Sequence, residues 1–249
     1  AIPFPDPVAF LDGTQQVDIA AYVGTLPVGI AVVRAAVRER VGGLLTTVIR
    51  EEALYAVGRP SVLAAAGPAL TGVEGLEIPE GTPHPLEDMA EIRRAVDRVR
   101  GNLELRAAER FRETSGGWLI VDGSLSGSPA LAGDPRAVGI VRSHAALPFD
   151  GADLDAYLRL PAAHRTSLFE PTPGFRPVVA WGLRLWPWEE RDLFHGLVRV
   201  EVAPANGGAE RADEISRALL AERLPLTGGP DGDRLLYGTH SVRQYLRAE

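Results

Sequence analysis

Trp118-Leu119-Ile120-Val121-Asp122-Gly123-Ser124-Leu125 is the stretch on which the reading of the fold turns. Four apolar residues, two of them β-branched, run unbroken into an aspartate and a glycine. The pattern predicts a buried strand ending in an acidic turn. The same device occurs once earlier, at Val8-Ala9-Phe10-Leu11-Asp12-Gly13-Thr14. Asp-Gly is also a common tight-turn dipeptide, so either unit alone suits an ordinary turn equally well. Two units change the weighing. If the strands lie parallel and adjacent, their carboxylates meet at the sheet rim, where they could bind a metal or act as an acid/base pair.

The segment between them supplies the crossover that a parallel pair needs. Leu86 to Thr114 predicts a long helix, with Pro85 before it and Glu87-Asp88 in the first turn, where carboxylates suit the exposed amides. Met89, Ile92, Val96, Val99, Leu103 and Ala107 recur at spacings of three and four, which gives one apolar stripe. Gly101 weakens the middle, which leaves a kink or a break into two helices open beside one continuous helix.

Around this centre the chain reads as strands, then helix, then strands and helices again. Val8–Leu11, Val17–Tyr22, Val28–Val37 and Leu44–Ile49 are predicted strands, although Arg34–Arg40 suits a helix equally well. Glu51–Gly75 is alanine-rich with no clear period, and 76–85 reads as a loop. After the central strand come a Gly/Ser/Pro loop (124–135), a strand at Val138–Arg142 and a helical turn or two at Leu154–Leu160. An antiparallel pair follows at Val178–Leu185 and Leu193–Val202, then a helix at Glu210–Glu222, a turn over 225–233 and a last helix from about Leu235 to Leu246. No linker demands a boundary, so residues 1–249 are expected to form a single mixed α/β (α+β) domain.

Composition narrows the chemistry. The chain has 249 residues, 45% hydrophobic content and no cysteine, which excludes disulfides, thiolate metal sites and cysteine nucleophiles. All 26 basic residues are arginine, so a side-chain salt bridge to phosphate must come from a guanidinium or a charged histidine. Without lysine there is no Gly-x-x-x-x-Gly-Lys-Ser phosphate loop. A net charge of -7 argues against a basic coating protein but not against a nuclease, because a metal site itself concentrates acids. No apolar run reaches membrane-spanning length, and a cytoplasmic protein without membrane contact is the expectation. The chain begins with Ala1 and its one methionine is Met89, so a processed or partial chain is expected.

Asp12, Glu104, Asp122 and His240 make the sharpest constellation. Hard divalent ions such as Mg²⁺ and Mn²⁺ take oxygen ligands, and Mn²⁺ tolerates imidazole better. Two such ions can cleave a phosphodiester when one carboxylate bridges them and others flank it. Asp12 is the candidate bridge. Glu109 and Glu113 rival Glu104 by position, and a solvated helix face is the plainer account of all three. His240, between Leu236 and Val242, equally suits a packed core position. Arg142, Arg165 and Arg223 are candidate phosphate ligands, though any of them reads as well as a surface charge.

Several stretches together resemble the NurA family of nucleases, partners of HerA-type hexameric ATPase translocases. Phe10-Leu11-Asp12-Gly13-Thr14 resembles the family's first Asp-Gly-Ser motif. Leu103-Glu104-Leu105-Arg106 ahead of Asp122-Gly123-Ser124-Leu125 resembles the helix glutamate and second motif. Val138-Gly139-Ile140-Val141-Arg142-Ser143, His164-Arg165-Thr166, Gly196 to Glu201 and Arg223-Leu224-Pro225 are similar to later blocks. The resemblance implies an RNase H-like fold with a mixed central sheet flanked by helices. It further implies a homodimeric Mn²⁺-dependent (or Mg²⁺-dependent) DNase with two ions, 5′-to-3′ exonuclease and single-strand endonuclease action, working in DNA end resection and repair. Asp12, Glu104 and Asp122 would then be metal ligands, with His240 a fourth ligand or catalytic assistant. One departure stands out: family members often carry a tyrosine in a Tyr-Pro context before the last histidine, where this chain has Gly229-Pro230. That departure and the acidic net charge motivate a competing expectation, a noncatalytic RNase H-like adaptor for DNA ends or a motor. A different two-metal phosphoesterase, or an RNase H-like enzyme acting on RNA, is a more distant third.

Overall fold

Apolar and polar residues alternate through much of the first quarter of the chain, and the period of two builds long strands. The computed structural model describes residues 3–144, 147–171, 176–225 and 232–248. β1 (Val8–Val23), β2 (Leu26–Val41) and β3 (Leu44–Gly58) form an antiparallel meander. Val8–Leu11 and Val17–Tyr22 are therefore one strand: pairing with β2 continues through Asp12, Gly13 and Thr14, which lie opposite Ala36, Ala35 and Arg34. Residues 34–40 are strand, not helix. Val33, Ala35 and Val37 face one core, while Arg38 and Arg40 alternate onto the other face and bond to Ser241 and Glu222.

The alanine-rich region, which shows no clear period in the sequence, divides into the end of β3, α1 (Pro60–Ala66), a 3₁₀ turn (Gly67–Leu70) and β4 (Glu74–Glu77). α2 (Pro85–Thr114) is one helix of 30 residues, which Gly101 does not break. β5 (Trp118–Val121) follows at once. The Gly/Ser loop after it contains a short helix, α3 (Pro129–Gly133), whose amide at Leu131 is capped by the Ser128 hydroxyl. Then come β6 (Ala137–Val141), α4 (Gly151–Leu158), β7 (Val179–Arg184), β8 (Leu197–Val202), α5 (Ala209–Glu222) and α6 (Tyr237–Arg247). Most of the expected 225–233 turn, including Gly229-Pro230, lies outside the described residues.

The eight strands make one sheet in the order β4-β3-β2-β1-β5-β6-β8-β7. β5 runs parallel to both β1 and β6, and the α2 crossover makes the β1–β5 pairing possible. Each sheet face carries its own core. Ala9, Leu11, Leu119 and Val121 pack beneath Ile92, Val96, Leu103 and Phe111 of α2. Phe10, Ile120, Val138 and Val200 pack against Ile215 and Leu219 of α5 and Val242 and Leu246 of α6. The result is a mixed α/β sheet flanked by helices, the RNase H-like architecture. No helix among the described residues is long and apolar enough to cross a membrane.

Candidate active site

Parallel pairing of β1 and β5 places Val8 opposite Trp118 and Leu11 opposite Val121, so the next residue on each strand is an aspartate. The Asp122 amide donates to the Leu11 carbonyl at 3.1 Å, and this bond closes the shared ladder. Asp12 is thus not the end of its strand; it marks where the parallel partner stops and the hairpin continues alone. Alternation along the strands turns Phe10, Asp12, Ile120 and Asp122 to the α6 face. Glu104 comes from the opposite layer. Its carboxylate lies over Gly13, in space that a Cβ at position 13 would occupy. The two aspartates meet at the rim on the α6 side of the sheet, and Glu104 approaches the same rim from the α2 side, near enough for its charge to act on Asp12. Glu109 and Glu113 are exposed.

Arginine fills the spaces between these acids. The Arg243 Nε donates to Asp12 Oδ2 at 2.9 Å, while its Nη2 donates to Asp122 Oδ2 at 2.8 Å. Arg142 makes a two-pronged pair with Asp122, both contacts 2.9 Å. Arg100, one helical turn before Glu104, binds its Oε1 and also donates to Gln15 Oε1 at 3.0 Å. Asp12 is only 2% exposed. Its carboxyl is pushed up to about 7, by burial first and then by the negative charge of Asp122; Glu104 adds to the rise, and Arg243 and Arg142 oppose it. Burial also raises Glu104, against the pull of Arg100.

Asp12 and Asp122, though not Glu104, line an open groove of about 590 Å³ together with Arg34, Arg100, Arg142, Arg243, Arg247, Gln15 and Gln16. Five guanidiniums against two aspartates make its lining cationic although the whole chain is acidic. A larger cavity, about 820 Å³, lies at the other end of β5, beside Trp118, Phe4 and Arg211.

Other expected site residues lie elsewhere. His240 is on α6, half-buried, and its described hydrogen bond is from its backbone amide to the Leu236 carbonyl. Arg243, three residues further along the same helix, reaches the carboxylates. Arg165 pairs with Asp213 at 2.6 Å, and Arg223 stacks on Trp186 and donates to the Leu185 carbonyl; neither lines the groove. Arg243 and Arg100 were missed from the sequence. Arg100 had a signal, its i,i+4 spacing to Glu104. Arg243 had only its helical spacing from His240.

Three carboxylates are a donor set suited to a hard divalent ion. Among the described residues, however, no group of three or more His, Asp or Glu is disposed to hold one. A guanidinium stands between Asp12 and Asp122, and another holds Glu104, which lies on the other face of the sheet. The site fits a cation in charge and donor type, and arginine supplies that positive charge here.

No family model matches the chain, and no curated protein is similar to it in sequence. Solved structures are similar in fold. The NurA nuclease from Sulfolobus solfataricus superposes with a TM-score of 0.59 at 12% identity, over 98% of this chain and 80% of that one. At that identity the likeness is one of fold. The catalytic domain of human Endonuclease V gives a TM-score of 0.40 at 15% identity, over 97% of this chain and 82% of that one, and at that score it carries no argument.

Proposed function

We propose that this protein is a metal-dependent deoxyribonuclease whose centre is Asp12, Asp122 and Glu104. One observation carries the reading: the β1–β5 register sets two strand aspartates side by side in an arginine-lined groove, with a third carboxylate held by Arg100 over the neighbouring Gly13. The fold likeness to a NurA nuclease supports it. Asp12 would be the ligand common to both ions, Asp122 and Glu104 would flank it as ligands, and His240 would be a fourth ligand or an assistant. Bound Mn²⁺ or Mg²⁺, as two ions, would activate water and stabilise the leaving oxygen.

The chain's own residues do the rest. Asp12, Asp122 and Glu104 would hold the ions, because two sheet strands and one long helix position them. Arg34, Arg100 and Arg247, with Arg142 and Arg243, orient the phosphate backbone, which gives affinity with little base preference. The finer activity follows the family resemblance: 5′-to-3′ exonuclease and single-strand endonuclease action, as a homodimer with a HerA-type translocase, in end resection. Arg165 and Arg223 would touch only DNA that extends past the groove.

The test is cleavage of end-labelled DNA with Mn²⁺, alongside matched RNA. Asp12→Asn or Asp122→Asn should lower the rate at least 100-fold while circular dichroism stays unchanged. Full Mn²⁺-dependent activity in both variants would overturn the reading.

One observation favours a second reading, a noncatalytic DNA-end or motor adaptor. The Arg243 bridge between Asp12 and Asp122 satisfies the acids without metal. Calorimetric titration with Mn²⁺ separates the two, since an adaptor has no tight site that Asp12→Ala removes.

A further inference from the structure

Glu201 is a carboxylate 1% exposed, one residue before the end of β8, and nothing in the proposed chemistry uses it. Burying a carboxylate costs several kcal/mol unless charge and hydrogen bonds compensate. Compensation here comes from two sides. Arg199 holds Oε1 through Nε at 3.0 Å and Nη2 at 2.9 Å. Oε2 accepts from the Ser124 hydroxyl at 2.7 Å and from the Leu125 amide at 3.0 Å. Ser124 and Leu125 are the second and third residues after Asp122. The buried acid therefore ties down the turn that carries that aspartate.

The register shows how Glu201 reaches so far. Val121 of β5 lies opposite Gly139 of β6, and Gly139 lies opposite Glu201 of β8. A Cβ on Gly139 would come within 2.7 Å of the Gly123 carbonyl and 3.0 Å of the Leu125 side chain. With no side chain at 139, the turn after β5 folds down onto β6 within reach of Glu201. Ser126 reinforces the turn, its amide donating to Ser124 Oγ at 3.2 Å. The turn after β5, Gly139 of β6, and Arg199 and Glu201 of β8 thus form a single arrangement.

We infer that Glu201, seated across Gly139, is a positioning residue that fixes the orientation of Asp122 through Ser124 and the Leu125 amide. It acts through the turn and touches neither substrate nor the reacting atoms. The inference rests on the proposed nuclease reading for its functional meaning, but its geometry is readable without cleavage or metal. Arg142 donates from Nε to Asp122 Oδ1, so its side-chain Nε–H is a local reporter of where Asp122 points.

The experiment follows that Nε–H signal by ¹⁵N–¹H NMR of the full chain, assigned by its loss in Arg142→Lys, in Glu201→Ala, Glu201→Gln and Ser124→Ala. Glu201→Ala should abolish or shift the signal while the remaining amide spectrum stays dispersed. Glu201→Gln, which keeps an acceptor for Ser124 and Leu125, should retain it, and Ser124→Ala should give an intermediate shift. With Mn²⁺ and labelled DNA, Glu201→Ala should lower the cleavage rate at least 10-fold and Glu201→Gln less than 3-fold. An unchanged Arg142 signal in a folded Glu201→Ala would overturn the inference. If that variant does not fold, an unchanged signal in Ser124→Ala would do the same. Absence of cleavage by the unmodified chain would instead sink the nuclease reading and leave the NMR result to decide this one.

Discussion

At the scale of single residues, Asp12 is held in opposing fields. Burial and two acidic neighbours favour its protonated form, while Arg243 and Arg142 favour the charged one, and the balance lies near 7. The sign of the stability effect follows from linkage. The folded chain binds this proton more tightly than the unfolded chain, whose value is 3.8. Its contribution is therefore complete below that value and is lost as pH rises through about 7. Urea midpoints of the metal-free protein, measured between pH 5 and pH 8, should fall more steeply for the unmodified chain than for Asp12→Asn. Equal slopes would remove the coupling. Arg243→Met should lower metal-free stability by about 3 kcal/mol, because it takes from buried Asp12 its guanidinium partner and leaves it facing Asp122, which keeps Arg142. The same change should tighten Mn²⁺ binding in calorimetry, since the side chain no longer competes for the position between the acids.

At the scale of elements, two helices bring the chemistry to the sheet. α2 delivers Glu104 and is continuous through Gly101, where a Cβ would meet nothing within 4 Å. Gly101→Ala should therefore raise stability by roughly 0.5–1 kcal/mol with activity unchanged, as thermal melts would register. α6 delivers Arg243 and lies close on β1, where Gly238 sits against the Phe10 ring with no room for a methyl group. Gly238→Ala should lift the helix, cost about 1–3 kcal/mol and loosen the Arg243 bridge. The β5 strand and its crossover helix were legible because an unbroken apolar run and a 3.6-residue stripe are strong periodic signals. The long hairpin was not. Asp12-Gly13-Thr14 has turn chemistry, yet pairing with β2 carries it straight on, so tertiary context overrode local preference. Arg34–Arg40 misled for a related reason: arginine and alanine are good helix formers, and only their partners across the sheet make them strand.

At the scale of the molecule, two packed cores grip one sheet from both faces, and the rim between β1 and β5 is where α2 and α6 both reach. Asp12 and Asp122, 110 positions apart in the sequence, become neighbours through one parallel pairing. Glu104 could be singled out because it precedes that strand on a periodic helix. Arg243 could not, because an arginine on the polar side of a helix looks like any solvated charge until the helix is docked. The same docking leaves His240 outside the described contacts of the acids. The adjacent aspartates of β1 and β5 are proposed as a metal-dependent catalytic centre in which arginine holds the place of a cation. The most direct test is a crystal soaked in Mn²⁺ and measured at the manganese absorption edge. Anomalous density bounded by Asp12, Asp122 and Glu104 is expected, with Arg243 withdrawn from between the aspartates. Arg243 still bridging both carboxylates at saturating Mn²⁺, with no anomalous density beside them, would contradict it.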